Sequence, residues 1–377
     1  MTAAWQEMRL SDCCEFISDG DHQAPPKADT GVPFITISNI SNNRLDFTNT
    51  AFVPESYYNA LDYKRRAQTG DILYSVVGSF GIPVLIRQAL KFTFQRHIAI
   101  LRPNKHTVPA FLYYLMLSSA FYQQADTVAI GAAQRTISLT ALRNMTVKIP
   151  SLAIQQKIAS ILSAYDDLID NNQQQIKLLE ESGSLLYKQL LDTHKCQNKA
   201  LGDLANIIMG QSPSSDNFNT DEQGIPFHQG VGSFGERFAK TKTFTRNYTK
   251  SANAGSILFS VRAPVGRINI IKEFVAIGRG IAAINHKNNH QCWLFYALKR
   301  YFFKEDIIGN GAIFNSINRQ ELQKILLPTP KEEAINTFEL LVQKIDSVIS
   351  SLDQQNLLLK EARDRLLPKL LSGEIEI

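Results

Sequence analysis

The sequence predicts an α+β chain built as a tandem repeat: two mixed α/β globular parts, each closed by a long helix, with the helices pairing as an antiparallel coiled coil. Three observations predict it. At a constant offset of 180, Ile137 maps to Ile317, Pro150 to Pro330, Asp166 to Asp346, Ile169 to Ile349, Gln174 and Gln175 to Gln354 and Gln355, and Glu181 to Glu361. Each copy then carries an apolar stripe at alternating spacings of three and four. The globular parts that precede the stripes run through the same order of short strands, loops and one compact helix.

The first stripe is Leu162, Tyr165, Ile169, Asn172, Ile176, Leu179, Gly183, Leu186 and Leu190; the second is Val342, Ile345, Ile349, Leu352, Asn356, Leu359, Arg363 and Leu366. A helix this long with one apolar stripe must bury that stripe, and the equivalence of the halves makes each helix the natural cover for the other. A pseudo-twofold relation makes the pairing antiparallel and sends the globular parts to opposite ends. For the second helix, Thr329-Pro330-Lys331-Glu332 reads as a capping box with proline at the first helical position, and Pro368 should end or kink it near Leu367, with Gly373 just past it. For the first, Ser151 is the expected cap.

In the first globular part, strands are expected at Val32–Ile37, Asp71–Val77 and His97–Leu101, a helix at Ala110–Tyr122, a loop near Gly131 and a strand into Pro150. In the second, Gly224–Phe227 answers Gly31–Phe34 at an offset of 193, Gly255–Ser260 answers Gly70–Ser75 at 185, and Trp293–Phe303 answers the helix at Ala110. The drifting offsets mean insertions and deletions confined to the globular parts, as expected if one frame carries two different recognition faces. The segments are therefore 1–150, 151–199, 200–329 and 330–377.

With 377 residues, 44% of them hydrophobic, the chain can bury more than one core. Cys13, Cys14, Cys196 and Cys292 show no CxxC spacing, no signal-peptide core lies between Met1 and Phe16, and nowhere do eighteen apolar residues run together, so a cytoplasmic chain is expected. The net charge of +5 divides as +3 for residues 1–150, −1 for 151–199, +6 for 200–330 and −3 for 331–377. Basic globular parts suit a polyanion; mildly acidic helices suit a protein partner.

Catalytic signatures are missing. There is no GxxxxGK[ST] loop, and Gly230-Val231-Gly232-Ser233-Phe234-Gly235 matches GxGxxG without the helix or the ribose-binding acid that a dinucleotide site needs. No Asn or Asp precedes Pro-Pro-aromatic, the motif an amino-methylating enzyme would need. His286 and His290, with Cys292 nearby, flank a polar turn and read as a surface loop rather than a metal site. What remains is binding chemistry. Lys64, Arg65, Arg66, Arg96, Gln134 and Arg135 in the first part, and Arg237, Lys240, Lys242, Arg246, Arg262, Arg267 and Arg279 in the second, lie in or beside loops. Arginine on guanine and glutamine on adenine read base edges, while lysine and other arginines fix register on phosphate. Helix pairing is assigned to Leu162, Tyr165, Ile169, Ile176, Leu179 and Leu186 and to Val342, Ile345, Ile349, Leu352, Leu359 and Leu366.

The run Ile149-Pro150-Ser151-Leu152-Ala153-Ile154-Gln155-Gln156-Lys157-Ile158, the ending Leu366-Leu367-Pro368-Lys369-Leu370-Leu371-Ser372-Gly373-Glu374-Ile375, and the stretches Gln95–Ile100, Gly255–Gly266 and Gly311–Pro330 resemble the specificity subunit of type I restriction-modification systems. The resemblance spans essentially the whole chain. One departure is that Pro330-Lys331-Glu332-Glu333-Ala334-Ile335 lacks the pair Gln155-Gln156, which leaves unequal contacts for the two helices. The resemblance implies two target recognition domains, each reading one half of a bipartite double-stranded DNA site. It also implies spacer-setting helices that dock two methyltransferase subunits, restriction subunits in the full complex, no catalysis in this chain, and S-adenosylmethionine, ATP and magnesium on the partners. The alternatives are a self-contained DNA methyltransferase or nuclease with unrecognised catalytic motifs, and a coiled-coil scaffold without a DNA role.

Overall fold

A computed structural model describes residues 5–132, 134–302 and 316–377. The starts of the Gly311–Pro330 stretch and the end of the Trp293–Phe303 helix lie outside these residues. The chain packs as two units, one of residues 1–171 with 355–377 and one of 172–354.

In the first unit an antiparallel sheet runs in the order Cys14–Asp19, Ile98–Pro103, Ile72–Ser75, Pro83–Leu85. Both of its faces are covered, and alternation along the strands shows how. Ala99, Leu101, Ile72 and Tyr74 join the core beneath the helices Pro109–Leu117 and Ser119–Val128, whereas Ile98, Ile100 and Leu73 enter a second core with Ile35, Phe92 and Phe94. That second core lies under a small sheet in which Val32–Ile35 pairs antiparallel with Ala51–Val53 and parallel with Thr93–Phe94. Strand Thr146–Ile149 pairs with Gln6–Arg9 and leads into the first long helix, Leu152–Thr193.

The second unit repeats the plan. Its sheet runs Ala205–Met209, Ile281–His286, Ile257–Ser260, Ile268–Ile270. Ile257, Phe259, Ala282 and Ile284 pack toward the helix Gln291–Phe302, and Leu258, Ile281 and Ala283 toward a five-stranded sheet that again contains one parallel pair, Ile225–His228 with Val275–Ile277. Strand Leu326–Thr329 pairs with Gln197–Ala200 and leads into the second long helix, Glu332–Ser372.

The long helices run antiparallel in each unit. In the first, Arg363 Nη1 lies 2.5 Å from Asp166, and Leu370 shares a core with Ile158 and Leu162. In the second, Ile176 packs with Ile349 and Leu352, and Tyr187 meets Phe338 edge-on at 6.0 Å. Of the twelve assigned pairing residues, Leu162, Ile169, Ile176, Val342, Ile349 and Leu352 are buried, and Tyr165, Leu179, Leu186, Ile345, Leu359 and Leu366 are half-buried.

Local details differ from the sequence reading. Thr329 makes no capping box: it is buried at the end of its strand, and its hydroxyl donates to Leu327 O at 2.9 Å. Lys331 O instead accepts from Ala334 and Ile335. Pro368 neither ends the second helix nor stops its last turn, which continues to Ser372; a proline costs the helix one N–H donor there, and the chain leaves at Gly373, whose φ of +75° suits a C-terminal glycine. The Ala110–Tyr122 helix is two helices, because Ser118 takes an extended ψ of 146° and its hydroxyl accepts from Phe121 N at 3.2 Å.

The missing glutamine of the second helix also has a structural answer. Gln155 is buried, with Oε1 accepting from Val108 N at 2.8 Å and Nε2 donating to His106 O and Pro150 O, so it caps the helix that begins at Pro109. In the second unit Glu339 does this, its carboxylate accepting from Cys292 N and Trp293 N at 3.1 and 3.0 Å. A carboxylate placed one turn further along replaces an amide.

Gly183 tests the packing of the second unit. Glycine to alanine within a helix ordinarily gains about 1 kcal/mol. Here a Cβ would lie 2.2 Å from Tyr296 Oη and 2.4 Å from its Cζ, and the tyrosine is buried. Gly183→Ala is predicted to lose about 1–3 kcal/mol in urea denaturation; unchanged or raised stability would show that the tyrosine yields freely.

Candidate nucleic-acid interface

In the first unit, the turn Tyr63–Arg65 is held by Asp62, whose carboxylate accepts from Lys64 N at 2.8 Å. That leaves the Lys64 side chain exposed, its ammonium 5.7 Å from the Tyr63 ring centre. Its neighbours are committed elsewhere: Arg65 pairs with Asp21 at 3.2 Å, and Arg66 donates through Nε to Leu61 O at 2.9 Å and through Nη2 to Asn59 O at 3.0 Å. Arg96 is exposed in the turn before Ile98–Pro103. Gln134 is exposed on a loop tied to the sheet end by the bridges of Thr136 with Val77 and Ile130. Arg135, beside it, grips the carboxylate and carbonyl of Asp126 and lies 5.4 Å from the Phe80 ring centre. Lys64, Arg96 and Gln134 are thus the members of this set that project outward.

The second unit brings Arg262 and Arg279 together. Both are exposed, neither is in an ion pair among the described residues, and both line a concavity of about 190 Å³ with Gln229, Gly230, Val231, Ser260, Ala263 and Gly280. The backbone around it is fixed. Ser260 Oγ donates to Pro264 O at 2.6 Å and accepts from Arg267 N at 2.9 Å, and Ser212 Oγ accepts from Arg279 N at 3.1 Å. A Cβ on Gly280 would meet Gln229 O at 2.4 Å, so glycine is required where those two segments cross. Among the described residues the rim carries two guanidinium forks and one amide and no carboxylate, the donor set that reads guanine and adenine edges or grips phosphate.

Gln229 was not among the residues singled out from sequence. Its signal was the glycine run after it, which folds into a short turn, Val231–Ser233, instead of the start of a nucleotide-binding helix. Lys240 and Lys242 are exposed on the segment after that turn, Arg246 is exposed and bonded to Gln223, and Arg267 is exposed at the end of the Arg262 loop.

Arg237 is a correction. It is 2% exposed, with Nη2 2.5 Å from Asp346, Nη1 3.3 Å from Glu180 and 3.5 Å from Tyr296 Oη, and its guanidinium 4.4 Å from the Phe295 ring centre. Burial works against its charge, but Asp346, Tyr296 and Glu180 hold it protonated. Such an arginine is part of the packing and cannot reach DNA.

A second correction concerns His286 and His290. The turn between them is exposed, but the rings are buried, 4.9 Å apart, with His286 edge-on to Trp293. Among the described residues no cluster of three or more His, Cys, Asp or Glu side chains could hold a metal ion. No described helix is long and apolar enough to cross a membrane.

The chain matches the family described as the type I restriction modification DNA specificity domain twice, over residues 3–181 and 194–367. The chain belongs to that family. It is 30% identical to the MjaX specificity subunit of a type I restriction enzyme of Methanocaldococcus jannaschii, over 99% of this chain and 94% of the relative. It is 24% identical to the HindI specificity subunit of Haemophilus influenzae, over 98% and 99%. The fold matches the crystal structure of the S subunit of the M. genitalium type I restriction-modification system with a TM-score of 0.58 at 16% identity, covering 98% of this chain and 96% of that one. As a specificity subunit the chain is a non-catalytic DNA-recognition component, which disposes of the self-contained methyltransferase or nuclease.

Two histidines give this unit an acid limit. Burial pushes His228, whose Nδ1 lies 2.7 Å from Ser233 Oγ, down to about 4, and burial with the adjacent His290 does the same to His286. Unfolded, such rings titrate near 6.5. Between those values the unfolded chain binds more protons, so stability falls as pH drops from about 6.5 toward about 4. His228→Asn is predicted to flatten this limb in urea midpoints measured against pH; a slope equal to the parent's would remove His228 as a cause.

Proposed function

We propose that residues 1–150 and 200–329 each read one half of a bipartite double-stranded DNA target, and that the helical segments 151–199 and 330–377 set the gap between the halves and dock two methyltransferase subunits. Restriction subunits join the full complex, S-adenosylmethionine, ATP and magnesium act on the partner subunits, and the assembly works in the cytoplasm. The observation that carries the reading is the doubling itself. One recognition fold occurs twice in one chain, and apart from Arg96 and Arg279, which stand at equivalent positions, the exposed polar side chains differ between the copies: Lys64 and Gln134 in one, Gln229 and Arg262 in the other. Two different faces on one frame suit an asymmetric two-part site.

Charge and geometry divide the work within each face. Guanidinium and amide groups on fixed backbone can make paired hydrogen bonds to base edges, and Lys240, Lys242 and Arg246 add phosphate contacts that vary little with sequence. Loss of a base-reading arginine costs about 1–3 kcal/mol of discrimination at its own position. The test is methylation mapping in cells carrying the chain with its cognate methyltransferase, against cells lacking the chain. A two-part motif with a fixed gap should vanish with it. Arg262→Ala and Arg279→Ala should relax bases in one half of that motif and leave the other half unchanged. Methylation indifferent to the chain would overturn the reading.

The helices carry support for docking. Leu168, Leu178 and Leu185 on the first, and Leu341, Val348, Leu357 and Leu358 on the second, are large apolar side chains left 46–65% exposed. Leu168 corresponds to Val348 and Leu178 to Leu358 at the repeat offset of 180, so equivalent apolar positions occur twice, as two copies of one partner require. Leu178→Asp or Leu358→Asp alone should reduce the methyltransferase from two copies to one in native mass measurements, and the double variant should remove both. Full stoichiometry in the double variant would move the docking surface elsewhere.

A further inference from the structure

Each recognition fold sends two cations to the long helices from corresponding loops. In the first unit Arg44, in the hairpin of Ile40–Ser41 with Arg44–Leu45, pairs with Asp170. Arg87, two residues past the strand Pro83–Leu85, lies 2.5 Å from Asp167 and 3.4 Å from Asp166. In the second unit Arg237, in the turn closed by the Phe234–Ala239 bridge, reaches Asp346 and Glu180. Lys272, two residues past the strand Ile268–Ile270, lies 2.6 Å from Asp353 and 3.5 Å from Ser350 O.

These are the same positions. The offset of 193 that takes Gly31 to Gly224 takes Arg44 to Arg237, and the offset of 185 that takes Gly70 to Gly255 takes Arg87 to Lys272. Among the outward-facing side chains only Arg96 and Arg279 correspond in this way, each two residues before an equivalent strand, Ile98–Pro103 or Ile281–His286, at an offset of 183; Lys64 and Arg262 meet Thr249 and Val77 at the offset of 185. Positive charge at both attachment points has persisted through a divergence that left Lys64 and Arg262 without basic counterparts.

We propose that Arg44 with Arg87, and Arg237 with Lys272, form a two-point mount that fixes the angle of each recognition fold on its helices, and so act as positioning residues for the gap between half-sites. The proposal rests on the bipartite-target reading above. One ion pair leaves a pivot; two, on separate loops, remove it. The loops are stiff enough to transmit the angle: the Asn269 side chain accepts from Gly235 N at 2.8 Å and donates to Gly235 O at 3.1 Å, clamping the Arg237 turn to the strand that leads to Lys272. Exposed ion pairs such as those of Arg44, Arg87 and Lys272 contribute little to stability, so their removal should change orientation without unfolding the unit.

The experiment reconstitutes the full complex with its methyltransferase and measures methylation on DNA in which the two mapped half-sites are kept while the gap is varied one base pair at a time. For Arg44→Gln with Arg87→Gln, and separately for Lys272→Gln, preference for the native gap over gaps one base pair longer or shorter should fall by about tenfold, a ~1.4 kcal/mol loss of discrimination. Both half-site sequences should stay the same, and Lys272→Arg should restore the strict gap. Arg237→Gln should behave likewise if it folds; the exposed variants decide the matter if it does not. Unchanged gap preference in variants that assemble normally would overturn the mount, as would altered half-site bases. Absence of any two-part methylation by the unaltered chain would instead refute the bipartite reading.

Discussion

The structure depends on burying two apolar stripes, one on each of two helices of about forty residues, against each other. A helix of that length with polar faces on its other sides gains little from propensity alone, and its stability comes from the surface it covers. Each fully buried Leu, Ile or Val in the stripe contributes about 1.5–3 kcal/mol, so Leu162, Ile169, Ile176, Val342, Ile349 and Leu352 together outweigh any surface ion pair on the same helices. Antiparallel burial has a topological consequence. Each packing unit must take the beginning of one helix and the end of the other, which is why one unit is continuous, 172–354, and the other is assembled from both ends of the chain.

On that base the buried charges do a different task, that of fixing angle. Asp166 and Asp346 occupy equivalent positions and both are met by arginine, yet the arginines come from different places. Asp166 is met by Arg363 of the facing helix, with Tyr114 Oη donating at 2.6 Å. Asp346 is met by Arg237 of the recognition fold. The residue equivalent to Arg363 in the first helix is Gly183, and Tyr296 Oη fills the space that a side chain would take. One arginine in the second unit therefore joins both helices and the recognition fold, where the first unit uses Arg363 and Arg87. Burial raises the Asp346 carboxyl above its ordinary value although Arg237 pulls it down, so this joint depends on its geometry more than on charge alone.

The periodic parts of this arrangement were legible in the sequence. The stripes, the repeat offset and the strand order are properties of spacing, and spacing survives in a single sequence. What a loop arginine does was not legible, because an arginine aimed at a phosphate and one folded back onto a carboxylate have the same neighbours in sequence. Arg237 looked like Lys240 and Lys242 beside it; the difference lies in Glu180 and Asp346, 57 and 109 residues away. Gln229 was missed for the opposite reason. Its importance comes from Arg262 and Arg279 meeting it across a concavity, and the glycine run beside it reads in sequence as an ordinary turn. Boundaries failed where side chains competed for backbone: Thr329 and Ser118 each had a hydroxyl that could serve two partners, and tertiary packing chose between them.

The repeat itself offered a signal that spacing alone did not use. Comparing the two halves position by position separates charges kept at both copies from charges present in one. By that criterion Arg44, in its hairpin, and Arg237, in its turn, fall in the first group, as do Arg87 and Lys272. Arg262, which meets Val77, falls in the second, whereas Arg96 and Arg279 correspond to each other and fall in the first. A charge retained at both copies answers to something both halves share, which for Arg44, Arg87, Arg237 and Lys272 is the pair of helices; a charge present once, like that of Arg262, answers to something that differs between them, which for a two-part DNA site is the bases.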